Sequence, residues 1–196
     1  MSRRILTGIT TTGIPHIGNY FGAIKPALQL SSEKNVSSYF FLADLHAIIK
    51  QTNPNEIKVS VNEVALAWLS SGLDPEKSFF YRQSNIPEIT ELAWILSCVT
   101  AKGLINRSHA YKAAVQLNHD HTKDEDKGIS MGLFSYPVLM AADILMFNSS
   151  HVPVGKDQLQ HLEITRDIAE KFNHQYGNTF VIPEAVSYTH LTLPTS

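Results

Sequence analysis

The chain has 196 residues, of which 43% are apolar, 17% charged and 9% aromatic. That is enough for one domain with a core and excludes disorder, and a second domain of similar size is not expected. Ten Gly and nine Pro exclude a fibrous or low-complexity chain, and sixteen Lys and Arg against eighteen Asp and Glu leave a net charge of −2, unlike a strongly basic nucleic-acid binder. The single Cys98 cannot form an internal disulfide or a thiolate zinc site, and no secretory or membrane-spanning stretch is visible. A cytoplasmic location, off the membrane, is expected.

In chain order, residues 5–10 (Ile-Leu-Thr-Gly-Ile-Thr) form a buried-strand pattern. A Gly- and Thr-rich turn follows, then a helix whose apolar face carries Ile17, Phe21, Ile24 and Leu28. Residues 38–42 (Ser-Tyr-Phe-Phe-Leu) are a second strand, running into Asp44-Leu-His46. The helix expected over 54–69 places Val61, Ala65, Trp68 and Leu69 on one side, with Gly72 as its left-handed stop. Residues 78–82 are a third strand, and Pro87 opens a helix through Leu92, Ile95 and Leu96.

Further on, Pro137 fits the first turn of a helix reaching about Phe147. Residues 152–154 are a short strand, and a helix is expected over 157–176, with Asp157 and Gln160 spaced as a capping box and Gly177 just past its end. Residues 118–130 are polar and lack a period, so a mobile loop is expected there. Cys98 is expected to be a small buried residue, and Trp68 and Trp94 to be core or subunit-interface residues. This alternation predicts an α/β fold with a parallel, doubly wound, Rossmann-like sheet, whose ligands bind beyond the carboxyl ends of its strands.

The turn after the first strand reads Gly8-Ile-Thr-Thr-Thr-Gly-Ile-Pro-His-Ile-Gly-Asn19. Gly8 and Gly13 have the spacing of a P-loop, but Ile14 and Pro15 stand where Lys and Ser or Thr are needed, so that motif fails, as does GxGxxG. What remains is His16-Ile-Gly-Asn19 at the mouth of a helix. Gly18 permits close backbone approach, and His16 and Asn19 each carry an N–H suited to phosphate oxygens. The alternative is that these residues merely cap a helix. Pro15-His-Ile-Gly-Asn19 after a first strand resembles the first signature of class I aminoacyl-tRNA synthetases, usually HIGH, in which Asn often replaces the last His.

On the later helix, Met140, Asp143, Ile144 and Phe147 fall at i, i+3, i+4 and i+7, which sets one carboxylate in an apolar stripe. A buried carboxylate needs a donor. An indole N–H would serve; a nearby Lys or Arg, or an orientation toward solvent, is the alternative. The string Tyr136-Pro-Val-Leu-Met-Ala-Ala-Asp-Ile-Leu145, followed by Val152-Pro-Val-Gly-Lys-Asp-Gln158, closely resembles the tryptophanyl-tRNA synthetase family, and the resemblance runs from about residue 5 to 184.

The resemblance implies that Asp143 recognises the indole N–H of L-tryptophan. It implies that Met140, Ile144, Val152 and Val154 line the indole slot, Tyr136 lies beside it, and His46 and Gln158 are near the amino-acid head group. Thr10, Thr11, Thr12, Gly18, Asn19, Gly155, Lys156 and Asp157 match the stretches touching ATP, with His16 and Asn19 as the reactive end of the signature. Relatives often carry Gln-Pro-Ser at 10–12 and an acidic residue at 156, so backbone contacts are expected there. Lys112 is either a phosphate ligand or a solvated lysine. The implied reaction is ATP-dependent formation of tryptophanyl-adenylate, assisted by Mg²⁺, and transfer to tRNA(Trp) for protein biosynthesis by a homodimer, whose interface the helix at 87–99 would suit. Asp44-x-His46 could be a metal-binding fragment, but no further Cys or carboxylate cluster supports zinc, so no protein metal site is expected.

Residues 1–185 are read as an incomplete catalytic domain lacking the family's KMSKS loop and helical anticodon-binding part, so tryptophan binding should be weak and adenylate formation very slow or absent. Residues 186–196 are read as a non-native tail encoded by a sequencing adapter. The rival readings are another adenylyltransferase with an HxGH-type loop, and a catalytically inactive binding module for tryptophan or nucleotide.

Overall fold

Buried apolar residues on both faces of two long segments pair them at the centre of the sheet. In the computed structural model, which describes residues 3–121, 124–155 and 158–187, β1 (Arg3–Thr10) and β2 (Val36–Ala43) run parallel in register from Arg3 opposite Val36 to Thr10 opposite Ala43. β3 (Phe79–Arg82) adds beyond β2, while β4 (His151–Val154) and β5 (Glu184–Ser187) add on the other side of β1. The sheet is wholly parallel in the order β3-β2-β1-β4-β5. Near-continuous apolar strands are what a parallel sheet demands, because both of its faces are covered.

The chain divides into two compact units. The first holds the described residues within 3–86, 149–158 and 184–187. After β1 it contains α1 (Ile17–Asn19), a π-helical turn (Tyr20–Ile24) and α2 (Lys25–Ser31); after β2 come α3 (Asp44–Ala47) and α4 (Pro54–Ser70). Its core gathers Ile5, Ile9, Ile24, Phe40, Leu42, Val64 and a fully buried Trp68 stacked on Phe40 at 4.8 Å between ring centroids. Gly72 closes α4 at φ +101°, as its position predicts. Ile17 and Leu69 are exposed, so the inward face of the first helix begins later than expected, and Val64 lies inward on α4.

The second unit holds the described residues within 87–148 and 159–183. It contains α5 (Glu88–Val99), α6 (Lys102–Ile105), α7 (His109–Asp120), α8 (Met131–Met146) and α9 (Leu159–Tyr176), with α8 packed against the other four. α8 begins two turns before the expected point. Ser130 caps it by accepting from the Leu133 N–H at 3.1 Å, and Pro137 lies inside the helix. The Pro signal is outweighed by a better N-cap and by apolar residues that extend the buried face upstream.

The described residues of 118–130 include helix and side-chain hydrogen bonds. Asn118 and its neighbours to Asp120 end α7, and the Asn118 amide donates to the carbonyls of Glu125 and Lys127 at 2.8 and 2.9 Å. Cys98 is exposed rather than buried, since α5 turns Ile89, Leu96 and Val99 inward. Gln160, expected in a capping box with Asp157, instead accepts from the His109 N–H and donates to the Arg107 carbonyl. Asp157 itself lies outside the described residues, as do Lys156 and residues 188–196 of the expected tail, whereas Val186 and Ser187 belong to β5. Among the described residues no helix is long and apolar enough to cross a membrane.

Candidate functional site

The strand order reverses between β1 and β4, the switch point at which a doubly wound sheet opens a crevice at its carboxyl edge. Thr10 ends β1, Ala43 ends β2 opposite it, and Val154 ends β4. The sheet therefore brings Thr10, Thr11 and Thr12, His46 just past β2, and Val152, Val154 and Gly155 to one edge of the first unit. Val152 and Val154 are buried, His46 is half-buried, and Gln158 donates its backbone N–H to the Gly155 carbonyl at 3.0 Å.

The loop after β1 is held from below. The Gly13 N–H donates to Ser60 Oγ, on the buried side of α4, at 2.9 Å, and Gly13 adopts φ +100°, which a side chain would strain. At the helix mouth His16 and Asn19 form a reciprocal cap. His16 Nδ1 accepts from the Gly18 N–H at 3.0 Å, and Asn19 Oδ1 accepts from the His16 N–H at 2.9 Å. The expectation of a cap and the expectation of a ligand site are therefore compatible. With Nδ1 and Oδ1 occupied as acceptors, a neutral His16 carries its proton on Nε2, and Asn19 keeps its NH₂ group, so each residue has donors to spare. Gly18 is required for this: a Cβ there would lie 2.8 Å from His16 Cε1.

At the end of β2 a buried carboxylate ties two strand ends together. Asp44 accepts from Arg82 Nε at 2.5 Å and from the Ser84 N–H at 3.0 Å, while the wholly buried Gln83 accepts from the Leu45 N–H at 3.1 Å. Burial pushes the Asp44 carboxyl up, but hydrogen bonds from Ser84 and Arg82 outweigh it and hold the group below the usual carboxylate range. Asp44 is thus a structural anchor for α3, which carries His46. Among the described residues no group of three His, Cys, Asp or Glu would hold a metal ion.

The second unit gathers Tyr136, Met140, Asp143 and Ile144 on α8. Asp143 is 1% exposed and Ile144 equally buried, so the carboxylate does lie inside an apolar stripe and not in bulk water. The Tyr136 hydroxyl bonds His161 Nε2 at 2.8 Å, and burial holds that phenol above its ordinary range. Lys112 lines an open cavity of about 770 Å³ together with Lys102, Tyr111, His119, Glu125 and Asp126, none of them marked by any sequence motif. Ser60, Arg82, Gln83 and His161 carry no motif either, since each acts on a partner 25 or more residues away and no local spacing signals that.

Over residues 2–195 the chain matches the family described as tRNA synthetases class I (W and Y). It belongs to that family. The tryptophan--tRNA ligase of Bordetella pertussis is 62% identical over 187 residues, which cover 95% of this chain and 42% of the relative. That of Pseudomonas aeruginosa is 59% identical over 198 residues, 99% of this chain and 44% of the relative. The crystal structure of the Campylobacter jejuni tryptophanyl-tRNA synthetase complexed with ADP and tryptophan superposes with a TM-score of 0.84 at 46% identity, over 95% of this chain and 56% of that one. A tyrosyl-tRNA synthetase from Archaeoglobus fulgidus, with a TM-score of 0.73 at 17% identity, shares the fold. The chain spans about two fifths of the length of the curated relatives it matches.

Proposed function

We propose that this synthetase-family chain carries residues that bind ATP and L-tryptophan for a tryptophan--tRNA ligase acting in the cytoplasm. The observation that carries the reading is Asp143, a carboxylate 1% exposed in an apolar helix face. Apolar walls alone separate aromatic rings poorly, whereas a site built around a buried acceptor rejects, by orders of magnitude, a ring that brings no donor to it; tyrosyl-tRNA synthetases refuse phenylalanine on the same principle. Asp143 is assigned to the indole N–H, with Met140, Ile144 and Tyr136 on the same helix. His46, Val152, Val154 and Gln158 are assigned to the same amino acid on the strength of the family resemblance. His16, Gly18, Asn19, Gly155 and the loop 10–12 are assigned to ATP, as are Lys156 and Asp157 by resemblance alone.

In the reaction a tryptophan carboxylate oxygen bonds to the α-phosphorus of ATP, and the bond from that phosphorus to the bridging oxygen breaks, releasing pyrophosphate. A tRNA hydroxyl then attacks the activated carbonyl and AMP leaves. The substrate supplies its own nucleophile, so the protein's part is to orient the reactants and to donate hydrogen bonds to phosphate oxygens, for which the spare N–H groups of His16 and Asn19 are suited. Mg²⁺ is assigned to the phosphates of ATP, where it would offset their charge. Homodimerisation through the outward stripe of α5, in which Trp94 is 73% exposed beside Ile95, belongs to the same proposal.

Calorimetric titration of the wild type and Asp143→Ala with tryptophan, phenylalanine and ATP tests the reading. We expect tryptophan affinity to fall roughly a hundredfold or more in the variant while ATP affinity holds. Equal losses for tryptophan and ATP, or wild-type binding of ATP with no preference for tryptophan, would overturn it; the latter result would favour another adenylyltransferase.

A further inference from the structure

The structure also joins a histidine on α9 to a site residue on α8. Tyr136 precedes Met140 by four positions and Asp143 by seven, so all three share one helical stripe. Its hydroxyl lies 2.8 Å from Nε2 of His161, with the two rings edge to face at 5.1 Å between centroids and 71° between planes. His161 is 5% exposed, and its backbone carbonyl accepts from Thr165 Oγ1 at 2.9 Å, within α9. Burial confines the imidazole, and the phenol hydroxyl meets it at Nε2.

The direction of that bond depends on the His161 tautomer, and the chemistry of the partners favours the phenol as donor. A phenol is a better proton donor than a neutral imidazole N–H, and an unprotonated imidazole nitrogen is a better acceptor than a phenol oxygen. Burial keeps the Tyr136 hydroxyl protonated across the neutral range. With Nε2 unprotonated, the hydroxyl proton lies on the line from oxygen to Nε2, the lone pairs of the phenol oxygen point away from that line, and His161 carries its own proton on Nδ1.

We infer that His161 is a positioning residue: by accepting the Tyr136 hydroxyl proton it makes the phenol oxygen a fixed acceptor for an N–H group of the amino-acid ligand. The inference rests on the function proposed above. Without His161 the hydroxyl loses that acceptor and can turn its proton toward the ligand, where it would repel an N–H donor.

The test is a double-mutant cycle read by calorimetry, with ¹⁵N NMR of the histidine rings in the ligand-free protein. His161→Phe should weaken tryptophan roughly tenfold and leave ATP affinity unchanged, and His161→Gln, whose amide oxygen can accept the hydroxyl proton, should recover much of the loss. In a Tyr136→Phe background, His161→Phe should cost little more. NMR should place the His161 proton on Nδ1. Full additivity of the two substitutions, equal losses for the Phe and Gln variants, or a proton on Nε2 would each overturn the inference, even if tryptophan binds well. A His161 protonated on Nδ1 in a chain that binds no tryptophan would instead bring down the site reading, and the ligand role assigned here with it. Should His161→Phe fail to fold, the Gln variant and the NMR assignment still decide.

Discussion

A carboxylate as enclosed as Asp44 survives in its charged form because Arg82 and Ser84 both donate to it. Its folded-state pKa lies below the ordinary value of 3.8, so the unfolded chain binds the proton more readily than the folded one. The stability Asp44 contributes is complete above the ordinary carboxylate range and is lost as pH falls through the lower, folded value. Urea unfolding from about pH 7 to about pH 3 should therefore show Asp44→Asn less stable than wild type by about 1–2 kcal/mol at neutral pH, with the gap narrowing at the acid end. A gap that stayed constant across the range would show that the carboxylate charge is not what matters. Asp143 is also buried and stands in an apolar stripe of its own helix, and the family resemblance is what makes it a proposed recognition group.

Among the elements, the turn between β1 and α1 shows how a short segment is made rigid enough to meet a ligand. Three features act together: the left-handed Gly13, the Ser60 acceptor beneath it and the reciprocal His16–Asn19 cap. Ser60→Ala removes the acceptor of a part-buried N–H without touching any residue assigned to a ligand. We expect ATP affinity to fall about fivefold, the net worth of one hydrogen bond near 1 kcal/mol, with tryptophan affinity unchanged. Calorimetry with both ligands checks this, and an unaltered ATP affinity would mean that the loop keeps its shape without the clamp. α8 illustrates the opposite case, in which a weak local signal loses: Pro137 favours a helix start, yet Ser130 and the apolar run from Met131 carry the helix two turns further upstream.

In the molecule as a whole, the outward stripe of α5 has the spacing of a packed face. Trp94, Ile95 and Cys98 stand at i, i+1 and i+4 on the side opposite Leu96 and Val99. Sedimentation should find the wild type dimeric, and Trp94→Glu should shift it toward monomer without altering its melting curve as a monomer, because a charge is costly only where that face is covered. A variant that sediments like wild type would remove α5 from the interface. Much of this architecture is legible in the chain alone. Four strands, the helix stops at Gly72 and Gly177, the buried Trp68 and the enclosed Asp143 all follow from period, chain punctuation and burial preference, which are local properties of the chain. What only the tertiary structure decided are the long-range bonds: Ser60 beneath Gly13, Arg82 on Asp44, His161 on Tyr136, and the exposure of Cys98. Periodicity records which way a side chain turns relative to its own element, whereas these contacts depend on which elements become neighbours, and that is settled when apolar faces pack together.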